Sequence, residues 1–154
     1  MSKVAIAIEK SLKYWKRFKN KKYELKELDY NFNMNYSVCM SAANINAKAI
    51  IAYTNTGDTS RTVSSFGPEC PIFAITENER TYRQQGLCWN IIPKLFPHQE
   101  TIDKLVCLGI NTLKQEGFLQ KDDTVVVAGG AKAVTDLYDN DAQINTSMGG
   151  IVKI

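Results

Sequence analysis

The sequence predicts an α/β fold: a three-layer α/β/α sandwich in which helices cover both faces of a largely parallel sheet. Three observations predict it. Four short apolar runs, AIIAYT (49–54), PIFAIT (71–76), CWNIIP (88–93) and TVVVAG (124–129), lack the polar alternation of a half-exposed strand. Near-continuous apolar runs of this length read as strands of a parallel sheet covered on both sides. Helical patterns lie between successive runs, and such alternation with right-handed crossovers places helices on both faces. A fifth short run, GIVKI (150–154), supplies a last strand.

Each element has its own signal. Val4, Ile8, Leu12, Trp15 and Phe18 recur at steps of three and four, which predicts an amphipathic helix over 3–19. It opens almost at residue 1, as expected where a domain is cut from a longer chain. Residues 20–35 are polar and irregular, with DYNFNMN (29–35) predicted as loop. A second helix follows over 36–46, its apolar face of Val38, Cys39, Ala42 and Ala43 small enough for close packing. A short helix is predicted over 58–66. Another covers 77–85, where Thr76 and Glu79 form a capping box and Gly86 supplies a stop. A long helix over 98–116 ends at Gly117 and presents Ile102, Leu105, Val106, Leu108 or Gly109, and Leu113 on one face. The connection 130–149 is polar and Gly-bearing, without helical period. Loops of that length inside a compact domain are functional or mobile, and a strand after one is free to return antiparallel. No internal repeat or linker divides residues 1–154, which read as one domain.

Composition narrows the function. The hydrophobic content of 44% is ordinary for a globular protein. No apolar run approaches the ~18 residues of a membrane span, and the first twenty residues mix Lys, Glu and Tyr with short apolar steps, unlike a signal peptide. A cytoplasmic protein without a membrane partner is the expectation. The formal charge of +3 is concentrated in KSLKYWKRFKNKKYELKELD (10–29). Tyr14, Trp15 and Phe18 interleave with those cations, as a nucleic-acid surface would require. Trp15 and Phe18 also fall in register with Ile8 and Leu12, so the expected reading is an amphipathic helix with a solvated basic face and no nucleic-acid partner. Cys39, Cys70, Cys88 and Cys107 include no C-x-x-C pair, and His98 is the only histidine. That spacing argues against a zinc site and for reduced, mostly buried thiols, with Cys107 packing on its helix face.

The most informative segment is YTNTGDTSRT (53–62). A strand ends at Thr54, a turn of hydroxyls and one amide follows, Gly57 permits close backbone approach, and a helix opens near Asp58 or Thr59. Amides freed at that helix start carry partial positive charge, and Thr54, Thr56, Thr59 and Ser60 add hydroxyl donors. This is the chemistry of a phosphate cradle, at the carboxyl end of a strand where open α/β sheets bind ligands. Thr54, Asn55, Thr56, Gly57, Asp58 and Thr59 are therefore the candidate anion-binding residues. The same pattern also serves a Ser/Thr-rich helix start with no ligand, and Asp58 repels an anion unless its side chain turns away. No Walker loop is present. Gly130 and Lys132, in GGAKAV (129–134), follow a strand and are a second candidate: either a loop closing over an anionic ligand or a flexible turn. Arg83 faces a neighbour or solvent. His98 has no paired nucleophile. No catalytic set and no metal-ligand cluster emerge.

Residues 49–96 resemble the pyruvate kinase C-terminal domain. The likeness rests on the strand ending in Thr54, the turn with Gly57, Pro68 and Pro71 before the next strand, Ala74-x-Thr76, the Thr81-x-Arg83-Gln84 step, Gly86, and Pro93. GFLQKDDTVVVAGG (117–130) and Ala7 to Glu9 add to it. The resemblance implies a five-stranded mixed sheet whose last strand is antiparallel. It implies a single regulatory and assembly domain, not catalytic by itself and separate from the parent's catalytic barrel. That parent would be a homotetramer transferring phosphate from phosphoenolpyruvate to ADP in glycolysis, with magnesium and potassium ions. The first two helices and the final strand would join its subunit interface. The loop matching Thr54, Asn55, Thr56, Gly57 and Thr59 would hold the phosphate of an allosteric effector, a phosphorylated sugar or another phosphate. Asn55 stands where bisphosphate-binding members often carry Lys or a hydroxyl, and no Arg lies near Leu105, which points to a monophosphate or to an empty loop. A free-standing metabolite-binding module and a purely structural oligomerisation domain are the alternatives.

Overall fold

A computed structural model describes residues 12–21, 30–99, 102–129 and 148–154. Its elements, in order, are α1 (Tyr14–Asn20), α2 (Tyr30–Ile45), β1 (Ala49–Tyr53), α3 (Asp58–Ser65), β2 (Ile72–Thr76), α4 (Glu79–Gln85), β3 (Ile91–Leu95), α5 (Ile102–Gln115), β4 (Thr124–Gly129) and β5 (Met148–Lys153). The strands form one five-stranded sheet in the order β3-β2-β1-β4-β5. The first four run parallel, and β5 pairs antiparallel with β4, Val126 opposite Ile151. The three-layer mixed-sheet expectation is thereby met.

Strand pleating assigns alternate residues to two cores. Ile50, Ala52, Ile72, Ala74, Val126 and Ala128 pack on one face against Val38, Cys39 and Ala42 of α2 and Val63 of α3. Ile51, Tyr53, Phe73, Ile75 and Val125 pack on the other against Leu113, with Leu105, Val106, Leu108 and Ile110 of α5 beside them. Every residue of β1 and β2 is buried, which is why both read as unbroken apolar runs. Gly109 lets α5 settle onto the sheet: a Cβ there would lie 2.7 Å from the Tyr53 hydroxyl and 2.8 Å from Ile75 Cδ1.

Several boundaries differ from expectation. Of the loop expected over 29–35, Tyr30–Asn35 instead form the first turns of α2, and residue 29 lies outside the described residues. Asn residues are poor helix formers, but Phe32 and Tyr36 stack edge-on against Phe66 at centroid distances of 5.1 and 5.8 Å, and burial outweighs propensity. The third strand starts at Ile91, not at Cys88. Asn90 takes a left-handed φ of 57° in a turn, and its amide donates to the carbonyls of Pro68 and Cys70. The strand then continues through Pro93, which pairs with Ala74. A proline is tolerated there because β3 is an edge strand. The N-cap of α4 is Asn78, whose side chain accepts from the Arg80 and Thr81 amides, while Thr76 accepts from the Asn78 amide instead of forming a capping box. Gly86 is the C-cap and is right-handed. Gly117, with φ 78°, does stop α5. The last strand begins at Met148, two residues earlier than read.

Cys39 and Cys70 are buried free thiols, Cys88 is half-buried, and Cys107 is exposed, so the packing role given to Cys107 is corrected. Burial pushes the Cys70 thiol up to about 12. Of the first predicted helix, residues 14–20 are helical, and residues 3–11 lie outside the described residues. The connection 130–147, with Gly130 and Lys132, lies outside them too.

Candidate anion site at the end of the central strand

β1 is the central strand, flanked by β2 and β4. From β1 the chain passes through α3 to β2 on one side, while β4 arrives on the other from the far edge. The carboxyl ends of β1 and β4, where Tyr53 pairs with Gly129, therefore mark the point at which strand order reverses. Crevices at such points are where open α/β sheets bind ligands. Residues 54–57 occupy this position.

The turn is built from its own hydroxyls. Thr54 is buried, and its Oγ1 accepts the Gly57 amide at 2.8 Å. Gly57 is the N-cap of α3 with φ 85°, and no side chain caps the helix. The first turn of α3 thus begins without the Ser/Asp cap that would otherwise consume its amides. Thr56 and Asn55 are exposed, whereas Thr59 is 9% exposed and sits in the first turn. Ser60 points inward, its hydroxyl donating to Gln85 Oε1 at 2.6 Å, with the Gly57 carbonyl 3.1 Å away. Among the four hydroxyls read as donors, those of Thr54, Thr56 and Ser60 are engaged within the protein.

Charge at the loop is balanced locally. Thr56 Oγ1 donates to Asp58 Oδ2 at 2.8 Å, and Arg61 Nη2 donates to Asp58 Oδ1 at 2.5 Å and to the Thr56 carbonyl at 3.3 Å. The Thr56 hydroxyl first, and the Arg61 guanidinium next, hold the Asp58 carboxyl below the usual carboxylate range, against a smaller opposing effect of burial. Asp58 does not cap the helix; its charge is offset by Arg61. Sequence reasoning did not single out Arg61, although an Asp–Arg pair three residues apart on a helix was a readable signal.

A second layer lies behind the loop. Thr81 Oγ1 on α4 donates to the Asn55 carbonyl at 2.7 Å. Gln85, on the same face of α4 and 0% exposed, donates from Nε2 to the Gly57 carbonyl at 3.3 Å. A Cβ on Gly57 would lie 2.1 Å from that nitrogen, so the approach of α4 requires glycine there. Gln85 carried no sequence signal, because its partner lies 28 positions away.

Other candidates fall elsewhere. His98 Nδ1 lies 2.7 Å from Glu77 Oε2, on the exposed side where β2 and β3 end. Arg83 pairs with Glu79 on the outer face of α4. A cavity of about 350 Å³, lined by Tyr14, Arg17, Phe18, Phe66 and Trp89, sits at the far end of α3 and does not reach the loop. Among the described residues, no three His, Cys, Asp or Glu converge as a metal-ligand set, and no helix is long and apolar enough to cross a membrane.

Comparison with known proteins bears on what this arrangement serves. Residues 33–143 match the family model described as "Pyruvate kinase, alpha/beta domain". A pyruvate kinase of Clostridium acetobutylicum is 32% identical over 130 residues, covering 84% of this chain and 27% of that protein. A pyruvate kinase of Staphylococcus saprophyticus is also 32% identical over 130 residues, covering 84% of this chain and 22% of its own length. One from Staphylococcus aureus strain COL is 29% identical over the same span. The matched span is about a quarter of the length of these relatives.

Proposed function

Because the chain belongs to the pyruvate kinase alpha/beta domain family, we propose that it serves as the C-terminal regulatory and assembly domain of a pyruvate kinase, and that loop 54–59 receives the phosphate of an allosteric effector. In that role it adjoins a catalytic barrel that moves phosphate from phosphoenolpyruvate to ADP in a cytoplasmic homotetramer. Magnesium and potassium belong to the barrel. The chain's own contribution is to bind and to orient.

The observation that carries the effector reading is the uncapped first turn of α3 at the end of the central strand. Amides of Asp58 and Thr59 at a helix start suit a phosphate by hydrogen bonding and by the field of the helix, with Thr56 and Arg61, both bonded to Asp58, at the mouth of the loop.

A second reading, assembly without a ligand, is favoured by the Gly57 amide already bonded to Thr54 and by the carboxylate of Asp58 at the mouth of the loop. Titration separates the two. A panel of sugar phosphates is expected to raise the melting temperature of the chain. At ~100-fold excess over Kd the gain is about 2.7 kcal/mol. Thr59→Glu, which adds negative charge within the cradle, is expected to abolish the shift. A wild-type chain indifferent to the whole panel leaves only the assembly reading.

A further inference from the structure

Helix α4 is short, and its outer residues Arg80, Tyr82, Arg83 and Gln84 are exposed. The two side chains it buries, Thr81 and Gln85, are both polar and lie four residues apart on one face. A buried polar side chain is costly unless it is bonded, and an apolar residue would pack there without that cost. Both spend their donors on the loop after β1. Thr81 holds the Asn55 carbonyl, and Gln85 holds the Gly57 carbonyl while accepting the Ser60 hydroxyl.

In a trans peptide the carbonyl and the following N–H point in opposite directions. Drawing the carbonyls of Asn55 and Gly57 toward α4 therefore turns the amides of Thr56 and Asp58 away from it. We propose that Gln85, together with Thr81, is the positioning brace of this loop: it sets which way the loop amides face, and so governs phosphate affinity without touching the phosphate. The proposal rests on the reading that the loop receives an effector's phosphate. The charged groups on the α3 side are Arg61, beside Gly57, and Asp58, paired with it; on α4 itself Glu79, Arg80 and Arg83 are exposed, and Glu79 pairs with Arg83.

The test uses the 154-residue chain with inorganic phosphate and a hexose monophosphate as probes. Two quantities are read: probe affinity, and amide hydrogen exchange at Gly57, whose N–H is held by Thr54, and at Arg61, whose N–H is held by the Gly57 carbonyl. Gln85→Leu is expected to speed exchange at both amides, but not at Val63 deeper in α3, and to weaken binding about ten-fold, the equivalent of one well-placed hydrogen bond. Thr81→Val, near-isosteric and least disruptive to folding, is expected to act in the same direction. Gly109→Ala strains the opposite face of the sheet and controls for general destabilisation; it is expected to leave both readouts unchanged. Wild-type exchange and affinity in Gln85→Leu and Thr81→Val overturn the brace. Should the wild-type chain bind neither probe, the effector reading falls, and loop exchange still decides: faster exchange confined to Gly57 and Arg61 upholds the brace, unchanged exchange overturns it.

Discussion

Asp58 sets the charge of the loop, and its behaviour under acid follows from its partners. Its carboxyl titrates below the usual range because Thr56 and Arg61 bond the ionised form. A depressed folded-state pKa means that the contribution to stability is present above the unfolded value, ~3.9, and is lost as the pH falls through the folded one. Side-chain exposures of 73% for Asp58 and 44% for Arg61 keep that contribution below about 1 kcal/mol. Urea midpoints of wild type and Asp58→Asn are therefore expected to run parallel above pH ~4 and to converge below it. The same substitution removes a negative charge from the mouth of the cradle and is expected to tighten phosphate binding severalfold by titration; weaker binding would count against an anion site. Gly57 makes the opposite kind of prediction. Gly57→Ala places a Cβ against Gln85 Nε2 on a backbone with φ 85°. The left-handed conformation costs about 1–2 kcal/mol before the collision is counted, and thermal melting should register a loss larger than that. At this scale the sequence was partly legible. Thr54, Gly57 and Thr59 could be placed because a strand, a hydroxyl-rich turn and a helix start are local. Gln85 could not, because nothing within its own segment indicates a partner in another turn.

Among the elements, α5 shows how packing reverses a propensity argument. Alanine is a better helix former than glycine by about 1 kcal/mol, so Gly109→Ala should stabilise an isolated α5. In the folded chain its Cβ meets the Tyr53 hydroxyl and Ile75 Cδ1. Overpacking of this kind costs about 1–3 kcal/mol, and a net fall in the urea midpoint is expected; a rise would mean that α5 sits further from the sheet. Leu113→Ala, at a fully buried position on the same helix, is expected to cost about 2–5 kcal/mol by opening a cavity. Element identity was readable from period and from apolar runs, and boundaries were not. Pro93 marked the end of the third strand by local rules, yet the strand runs on through it because it lies at the sheet edge. Asn-rich residues 30–35 were taken from loop into α2 by aromatic contacts with Phe66, more than thirty positions away.

The whole molecule is two cores divided by one sheet, each strand contributing alternate side chains to both. Because the same strands hold both faces, the faces are expected to unfold together. Trp15 packs against the core on the α2 and α3 side, and Trp89 stacks on Tyr14 at a centroid distance of 5.2 Å. Tryptophan fluorescence therefore reports that side. Leu113→Ala acts on the other side, yet the fluorescence midpoint and the far-UV circular dichroism midpoint should shift by the same amount in urea. Separate midpoints would mean that the faces are independent. The order β3-β2-β1-β4-β5 was not legible from the pattern of runs, since alternating strands and helices fit several orders. The antiparallel return of β5 came from the family resemblance and not from any local signal.

By itself the sequence determined the fold class, the number and polarity of the strands' environments, the family, and the location of one loop rich in hydroxyls beside a glycine. These are properties of short segments, fixed by side-chain period, by burial on two faces and by the conformational freedom of one residue. Only the tertiary structure decided which amides of that loop are already bonded, that Arg61 neutralises Asp58, and that Thr81 and Gln85 of α4 hold the loop's carbonyls. The reason is distance along the chain: a hydrogen bond reaches about 3 Å through space, and the groups that meet at the end of β1 are brought within that reach by the crossover of α3 and α4 over the sheet.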